Sequence, residues 1–116
     1  TNIRHMAAEA VTEPVDLATI DVSFISLKIV VPAVAAFLSE NGHILALIKP
    51  QFEVGKNQVG KGGVVRDENL HNRVIQDLSS FFGEKGMVCL KVFPSPILGP
   101  KGNREFFILL QPIKVV

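Results

Sequence analysis

Four short apolar segments most restrict the fold of this 116-residue chain. They cover residues 17–22, 43–49, 87–93 and 104–111. Their length is that of strands, and runs of consecutive apolar residues are typical of strands buried on both faces. Segments with helical spacing of apolar residues separate the first from the second and the second from the third. The resulting order, β-α-β-α-β-β, predicts an α/β layered sheet, mostly parallel with one antiparallel strand.

Two helices are predicted between these segments. The first is expected to begin at a Ser26 cap and to extend to about Ser39. The second is expected to begin at an Asp67 cap and to end at Gly83 or Gly86. Its buried face is predicted from the apolar residues that recur at helical spacing, which are Leu70, Val74, Leu78, Phe81 and Phe82.

Charge and cysteine content exclude several classes of protein. The chain has 12 Lys+Arg and 11 Asp+Glu, so any affinity for nucleic acid must come from local clusters of positive charge. The single cysteine, Cys89, excludes a disulfide framework, and the three histidines show no ligand spacing, so no metal site is expected. No apolar run approaches the ~18 residues of a membrane-spanning helix. With no signal peptide evident, a cytoplasmic protein without membrane contact is expected.

Three ionisable residues stand at the ends of predicted strands. Asp21 lies near the end of the first strand, Lys49 at the end of the second and Glu105 near the start of the fourth. Because the fourth strand runs in the opposite direction, all three are expected at one rim of the sheet, where α/β proteins bind ligands. If the second and fourth strands pair, Lys49 comes within reach of Glu105, and a lysine held between two carboxylates is a candidate catalytic group. The alternative is that each charge simply leaves the sheet toward solvent.

A long glycine-rich segment without periodicity follows the second strand, over residues 51–66. It fails the phosphate-loop template because Gly62 occupies the position of the Ser or Thr that binds magnesium. We predict instead a basic segment that faces the substrate, in which Lys56, Lys61 and Arg66 contact the backbone of a nucleic acid. A merely flexible surface loop is the alternative.

Two phenylalanines follow the candidate catalytic residues by three positions each. Phe24 follows Asp21, and Phe52 follows Lys49. We expect both rings to pack in the core, with base stacking by Phe52 as the other interpretation.

Five segments of the chain together carry a family resemblance. They are DVSFISL at 21–27, KPQFE at 49–53, VGKGGVVRD at 59–67, PSPI at 94–97 and GPKGNREF at 99–106. In this order they closely resemble the hemolysin A (TlyA-type) family of FtsJ-like methyltransferases. The resemblance extends over nearly the whole chain.

The resemblance implies an S-adenosylmethionine-dependent enzyme with a Rossmann-like sheet. Asp21, Lys49 and Glu105 match the last three members of the family's Lys-Asp-Lys-Glu tetrad, and Asp21 is expected nearest the methyl group of the cofactor. The first tetrad lysine, the glycine-rich cofactor loop and the N-terminal RNA-binding domain of the family have no counterpart here. Residues 1–116 are therefore expected to be the C-terminal part of the catalytic domain. This partial sheet comprises family strands four to seven, and most of the cofactor pocket lies outside the chain.

The implied function is transfer of a methyl group to a ribose 2′-hydroxyl of ribosomal RNA by the intact protein, with the 116 residues inactive alone. Ribosomal RNA or a ribosomal subunit would be the partner. Lys49 would orient the hydroxyl and accept its proton, while Asp21 and Glu105 would position Lys49. An exposed edge of the partial sheet would also favour homodimers.

Three other functions are alternatives to RNA methylation. A hemolysin-like lytic protein would need a membrane-inserting segment, and none is found. A non-enzymatic RNA-binding protein would use the basic segment alone. A phosphoacceptor receiver domain would need an additional acidic pair after an early strand, and that pair is absent.

Overall fold

The computed structural model describes residues 15–54, 63–99 and 102–113. The elements in these ranges are, in chain order, β1 (Val15–Ile20), α1 (Leu27–Ala35), β2 (Leu38–Ile48), a single 3₁₀ turn (Pro50–Phe52), α2 (Glu68–Glu84), β3 (Met87–Pro94) and β4 (Phe106–Pro112). The predicted order β-α-β-α-β-β is confirmed. Two residues of the predicted basic segment, Lys56 and Lys61, and the failed phosphate-loop template lie outside the described residues.

The four strands form one sheet in the order β1-β2-β4-β3. β1 pairs with β2 in parallel, whereas β4 is antiparallel to both β2 and β3. Three strands therefore run in one direction and β4 in the other, which confirms the prediction of a mostly parallel sheet with one antiparallel strand. The pairing of Ile48 with Phe106 places the end of β2 beside the start of β4.

Both helices begin at the predicted capping residues. The side chain of Ser26 accepts a hydrogen bond from the Lys28 N–H at 3.0 Å, and that of Asp67 accepts one from the Asn69 N–H at 2.8 Å. Each cap satisfies an amide that the first helical turn leaves without a partner, which stabilises a helix by about 1 kcal/mol. α2 ends where Gly86 adopts a φ of +81°, a conformation that favours glycine.

α1 is shorter than its sequence pattern predicts. The helix ends at Ala35 and β2 begins at Leu38, so the expected end near Ser39 is wrong. Val30 and Val34 are buried as helical spacing requires, and Leu38 is also buried, but as the first residue of a strand. The apolar spacing continues across the turn because the helix and the strand pack into the same core.

The core lies between one face of the sheet and the two helices. Alternate residues of β2 and β4 pack there against apolar stripes of α1 and α2; the members are Val30, Val31, Val34, Ile44, Ala46, Ile48, Val74, Leu78, Phe82, Ile108 and Leu110, among others. Burial of each large side chain contributes about 1.5–3 kcal/mol. The intervening residues on the opposite face of the sheet are apolar as well, but the described residues bury them only in part; they include Leu45, Leu47, Phe107 and Leu109.

Candidate active site

The three predicted rim residues lie at the same edge of the sheet. Asp21 directly follows β1, Lys49 directly follows β2, and Glu105 directly precedes β4. Because Ile48 pairs with Phe106, Lys49 and Glu105 occupy facing positions just beyond the last pair of residues. The reversed direction of β4 thus brings its first residues to the edge at which β1 and β2 end.

Lys49 forms the centre of a polar cluster at this edge. Its ammonium group is 2.5 Å from Oδ1 of Asp21, and it donates a hydrogen bond to Oγ of Ser23 at 3.1 Å. The Lys49 side chain is only 12% exposed, whereas that of Asp21 is 67% exposed. An ammonium group has three N–H donors, and its partners among the described residues are Asp21 and Ser23. One donor therefore remains for an oxygen atom of a substrate.

Glu105 lies beside this cluster without joining its ion pair. The carboxylate is buried and accepts a hydrogen bond from Nε2 of Gln51 at 3.2 Å. The other amide atom of Gln51, Oε1, is buried and has no partner within the described ranges. The expectation of a lysine held between two carboxylates is therefore wrong in this structure. The loop after β1 supplies the acidic partner of Lys49, and the Glu105 carboxylate packs instead against the backbone of Gly99.

The loops that follow β1 and β2 also meet through two aromatic rings. The ring centroids of Phe24 and Phe52 are 4.9 Å apart. Phe24 is 89% exposed and has a φ of +65°, a left-handed conformation that is rare for a bulky residue. The prediction that Phe24 packs in the core is therefore wrong, whereas Phe52 is partly buried. Base stacking by Phe52 stays a prediction.

Glu53 joins the same two loops, and because it lies within a loop, the pattern of charges at strand ends does not indicate it. Its Oε1 accepts a hydrogen bond from the Ser26 hydroxyl at 2.6 Å, and its Oε2 accepts one from the Leu27 N–H at 2.9 Å. Burial raises the pKa of the Glu53 carboxyl group, and this effect is opposed by the hydrogen bonds from Ser26 and Leu27 and by the charge of Lys28. The KPQFE segment contains this residue, but nothing in the segment indicates a partner 27 positions away.

Two buried polar residues fix the chain that leads into α2. Asn103 accepts a hydrogen bond from the Val65 N–H at 2.9 Å and donates one to the Gly63 carbonyl at 3.0 Å. His71 donates from Nε2 to the Val65 carbonyl at 2.7 Å. Arg66, the one predicted RNA-binding residue within the described ranges, is exposed beside this anchor.

The buried face of α2 differs from its prediction at the first turn. His71 is buried, whereas the expected Leu70 is only partly buried, as is Phe81 near the other end of the helix. Val74 follows His71 by three positions and Leu78 follows it by seven, so all three share one face of the helix. Helical spacing therefore places His71 on the buried face, and only its polar side chain kept it out of the predicted set of apolar residues.

Comparisons with known proteins identify the family of this chain. TlyA of Mycobacterium tuberculosis, named as a 16S/23S rRNA (cytidine-2′-O)-methyltransferase, is 45% identical over 111 residues, which are 96% of this chain and 41% of that protein. YqxC of Bacillus subtilis, whose name also refers to rRNA methylation, is 41% identical over 112 residues, or 96% of this chain and 40% of that protein. The chain thus spans about two fifths of the length of these relatives.

A solved structure from Streptococcus thermophilus, which carries the name hemolysin, superposes with a TM-score of 0.92 at 38% identity. The match covers 98% of this chain and 42% of that one. Neither helix in the described ranges of the present chain combines the length and the hydropathy that a membrane span requires. The sequence profile of the FtsJ-like methyltransferases matches residues 1–112. The chain therefore belongs to the FtsJ-like methyltransferase family.

Proposed function

We propose that this chain is the C-terminal part of the catalytic domain of an S-adenosylmethionine-dependent rRNA ribose 2′-O-methyltransferase. Membership of the FtsJ-like family and the relatives named for rRNA methylation support this proposal. The observation that carries it is the Lys49 side chain, which is only 12% exposed and whose ammonium group pairs with Asp21 and Ser23 at the open edge of the sheet. A lysine fixed in this way can hold an incoming hydroxyl group in one orientation.

Lys49 is the residue that acts on the attacking hydroxyl. Its remaining position, an N–H in the ammonium form and the lone pair in the neutral amine, would hold the ribose 2′-oxygen. The neutral amine would take the hydroxyl proton as the oxygen gains the methyl group and the carbon–sulfur bond of the methyl donor breaks. Asp21 and Ser23 hold Nζ in place, so that the hydroxyl approaches in line with the bond that breaks. Correct alignment of reacting groups is worth several powers of ten in rate, and alignment is what this cluster provides.

Asp21 is the residue of this chain that would face the cofactor. S-adenosylmethionine supplies a methyl group bonded to a positively charged sulfur. The exposed Asp21 carboxylate at the open edge is suited to a cationic group, because a negative charge there lowers the electrostatic energy of the bound cation. Asp21 would therefore contact the cofactor and Lys49 at once.

Glu105 completes the site from β4. Its buried carboxylate lies at the position that faces Lys49 and is held by Gln51. A buried negative charge at this place stabilises the positive charge that Lys49 acquires when it takes the proton. Glu105 therefore acts on the same proton transfer from the opposite strand.

Ribosomal RNA is the proposed partner, and the cytoplasm the proposed location. Arg66 is exposed next to the anchored segment 63–65, and Lys56 and Lys61 precede it along the chain. Positively charged residues in this order suit contact with phosphate groups, which position an RNA without reading its sequence. Base-specific selection of the nucleotide would then come from other parts of the protein.

The replacement Lys49→Ala tests the catalytic assignment in the complete polypeptide that contains this chain. We expect methyl transfer to rRNA to be abolished, with binding of S-adenosylmethionine and RNA nearly unchanged, because only the group that orients the hydroxyl is lost. Labelled methyl transfer and calorimetry provide the two measurements. Lys85→Ala is the matched control, since Lys85 is exposed at the C-terminal end of α2, where β3 begins and the site does not lie.

The same experiment separates methylation from the non-enzymatic alternative. An RNA-binding protein without catalytic activity would bind RNA but transfer no methyl group even as wild type. Methyl transfer that survives in Lys49→Ala would contradict the role of Lys49. An equal loss in Lys85→Ala would show that the effect is not specific to the site.

A further inference from the structure

Side chains continue to connect the two loops after the backbone pairing of β1 and β2 has ended. The last pair of residues in register is Ile20 with Ala46. Beyond it, three levels of contact follow in the same order along both loops: Lys49 with Asp21 and Ser23, Phe52 with Phe24, and Glu53 with Ser26 and Leu27. The outermost level is the one made by Glu53.

Glu53 connects the loop after β2 to the beginning of α1. Its two carboxylate oxygens accept from the Ser26 hydroxyl and from the Leu27 N–H, both at the beginning of α1. Leu27 is buried, and α1 packs into the main core. The two hydrogen bonds therefore attach the loop after β2 to a part of the molecule that the core holds in place.

The segment between Lys49 and Glu53 is a compact turn that transmits this attachment. The Phe52 N–H donates to the Lys49 carbonyl at 2.9 Å, and the Glu53 and Val54 N–H groups donate to the Pro50 carbonyl at 3.0 and 3.1 Å. Because the backbone of the turn is bonded at both ends, a shift of Glu53 moves the backbone of Lys49 as well. The side chain of Lys49 would then leave its place beside Asp21.

We propose that Glu53 is a positioning residue for Lys49, and that its hydrogen bonds to the start of α1 set where the Lys49 amine meets the substrate hydroxyl. This role rests on the proposed methyl transfer. Glu53 itself does not touch the substrate and acts only through the turn. The positioning does not require the negative charge of the carboxylate, because an amide can form hydrogen bonds with the same two groups.

The surroundings of Glu53 explain why an amide should suffice. Lys28 from α1 and Asp77 from α2 line the same small cavity as Glu53, and the charge of Lys28 favours the carboxylate. A glutamine could accept from the Leu27 N–H through its oxygen and donate to the Ser26 oxygen through its nitrogen. Burial raises the pKa of Glu53, so the site stabilises the charged form less than water does.

Three variants of the complete polypeptide test the proposal: Glu53→Ala, Glu53→Gln and Asp77→Ala. Alanine removes both hydrogen bonds, glutamine keeps them, and Asp77→Ala removes an acid from the same cavity without touching the start of α1. We expect Glu53→Ala to lower kcat by about 10- to 100-fold, as small misplacements of reacting groups do, with an unchanged KM for RNA. Glu53→Gln and Asp77→Ala should keep kcat close to that of the wild type.

Chemical labelling of lysines provides a measurement that does not depend on activity. Lys49 is nearly buried in the wild type, so acetic anhydride should modify it slowly, whereas exposed Lys85 should react fast. Glu53→Ala should raise the rate at Lys49 several-fold and leave Lys85 unchanged, below the melting temperature of every variant. Glu53→Gln should restore the slow rate.

The pH dependence of stability adds a third measurement. Because the pKa of Glu53 is raised in the folded state, folding takes up a proton, and the wild type loses stability as the pH rises through that raised pKa. Glutamine does not titrate, so the difference in unfolding free energy between Glu53→Gln and the wild type should increase as the pH rises from the ordinary carboxyl pKa to the raised one. At higher pH this difference should be constant.

The outcomes separate this proposal from the proposed function. A wild type that transfers no methyl group would end the proposed function, while protection of Lys49 would still report on the positioning by Glu53. An unchanged Lys49 labelling rate in a folded Glu53→Ala variant would overturn the positioning role. So would a fall in kcat that Glu53→Gln fails to restore or that Asp77→Ala reproduces.

Discussion

The absence of a side chain at Gly99 leaves the space that the Glu105 carboxylate occupies. A Cβ atom at this position would overlap the carboxylate group of Glu105. The backbone around it is fixed, since the Gly99 N–H donates to the Asn103 carbonyl at 2.7 Å and the Ser95 N–H donates to the Glu105 carbonyl at 2.8 Å. Gly99 is therefore a steric requirement of the site, and not only part of a turn.

The replacement Gly99→Ala should displace the Glu105 carboxylate and reduce methyl transfer by the complete polypeptide. The clashing atoms are the end of a flexible side chain, which can move aside, so the loss should appear in activity more than in the midpoint of thermal unfolding. Gly83→Ala is the control: Gly83 lies in α2, and a Cβ there would meet no atom of a neighbouring element, so alanine should stabilise by about 0.5–1 kcal/mol. Normal activity in Gly99→Ala would show that the exact place of Glu105 does not matter.

The elements differ in how far local sequence determines them. Ser26 and Asp67 cap their helices as predicted, because a cap depends only on the next few residues. The end of α1 was not predictable from spacing, since Leu38 is apolar in either a helix or a strand. The contacts of Glu53 with Ser26 and of Asn103 with Val65 join residues 27 and 38 positions apart, and no local pattern encodes such a distance.

The same distinction applies to the site itself. The position of Lys49 and Glu105 at one edge follows from strand direction, which the pattern of apolar segments predicts. Their facing positions also need β2 and β4 to pair, which the sequence left as a condition and the structure shows. Which acid pairs with Lys49 depends instead on how the loop after β1 folds, and Phe24 with its positive φ shows that this loop takes a conformation that sequence rules disfavour.

The segment that joins the 3₁₀ turn to α2 yields a prediction on salt dependence. If Lys56, Lys61 and Arg66 each neutralise an RNA phosphate, the triple alanine variant should bind rRNA with a weaker dependence on salt. Each lost contact reduces the slope of log K against log salt concentration by about 0.7–0.9, so the slope should fall by about 2–3. Binding assays over a range of salt concentrations measure this slope, and the Lys85→Ala variant should keep the wild-type slope.

At the scale of the whole molecule, the described part of the sheet has helices on one face only. The other face carries partly buried Leu45, Leu47, Phe107 and Leu109, and the outer strands β1 and β3 expose Leu17 and Leu90. Apolar faces and unpaired edge strands promote association with other chains. Relatives that are more than twice as long have further chain with which to cover such a surface.

The 116-residue chain on its own should therefore self-associate and transfer no methyl group. The complete polypeptide should not self-associate through these surfaces and should transfer methyl groups. Sedimentation equilibrium over a range of concentrations measures the association. Replacing both Leu17 and Leu90 by lysine should reduce it, because charges on outer strands oppose edge-to-edge pairing. A short chain that stays monomeric and methylates RNA would contradict this view of the fragment.

The insertion of β4 between β2 and β3 has a consequence for protein synthesis. Of the four strands, the one that leaves the ribosome last is central, and β3 has no neighbour in the sheet until β4 arrives. Translation proceeds at about 5–20 residues per second. β3 therefore stays unpaired while the residues from its end at Pro94 to the end of β4 at Pro112 are synthesised. A nascent chain truncated before Arg104 would lack both Glu105 and β4, and without β4 nothing joins β3 to β2 within the described sheet.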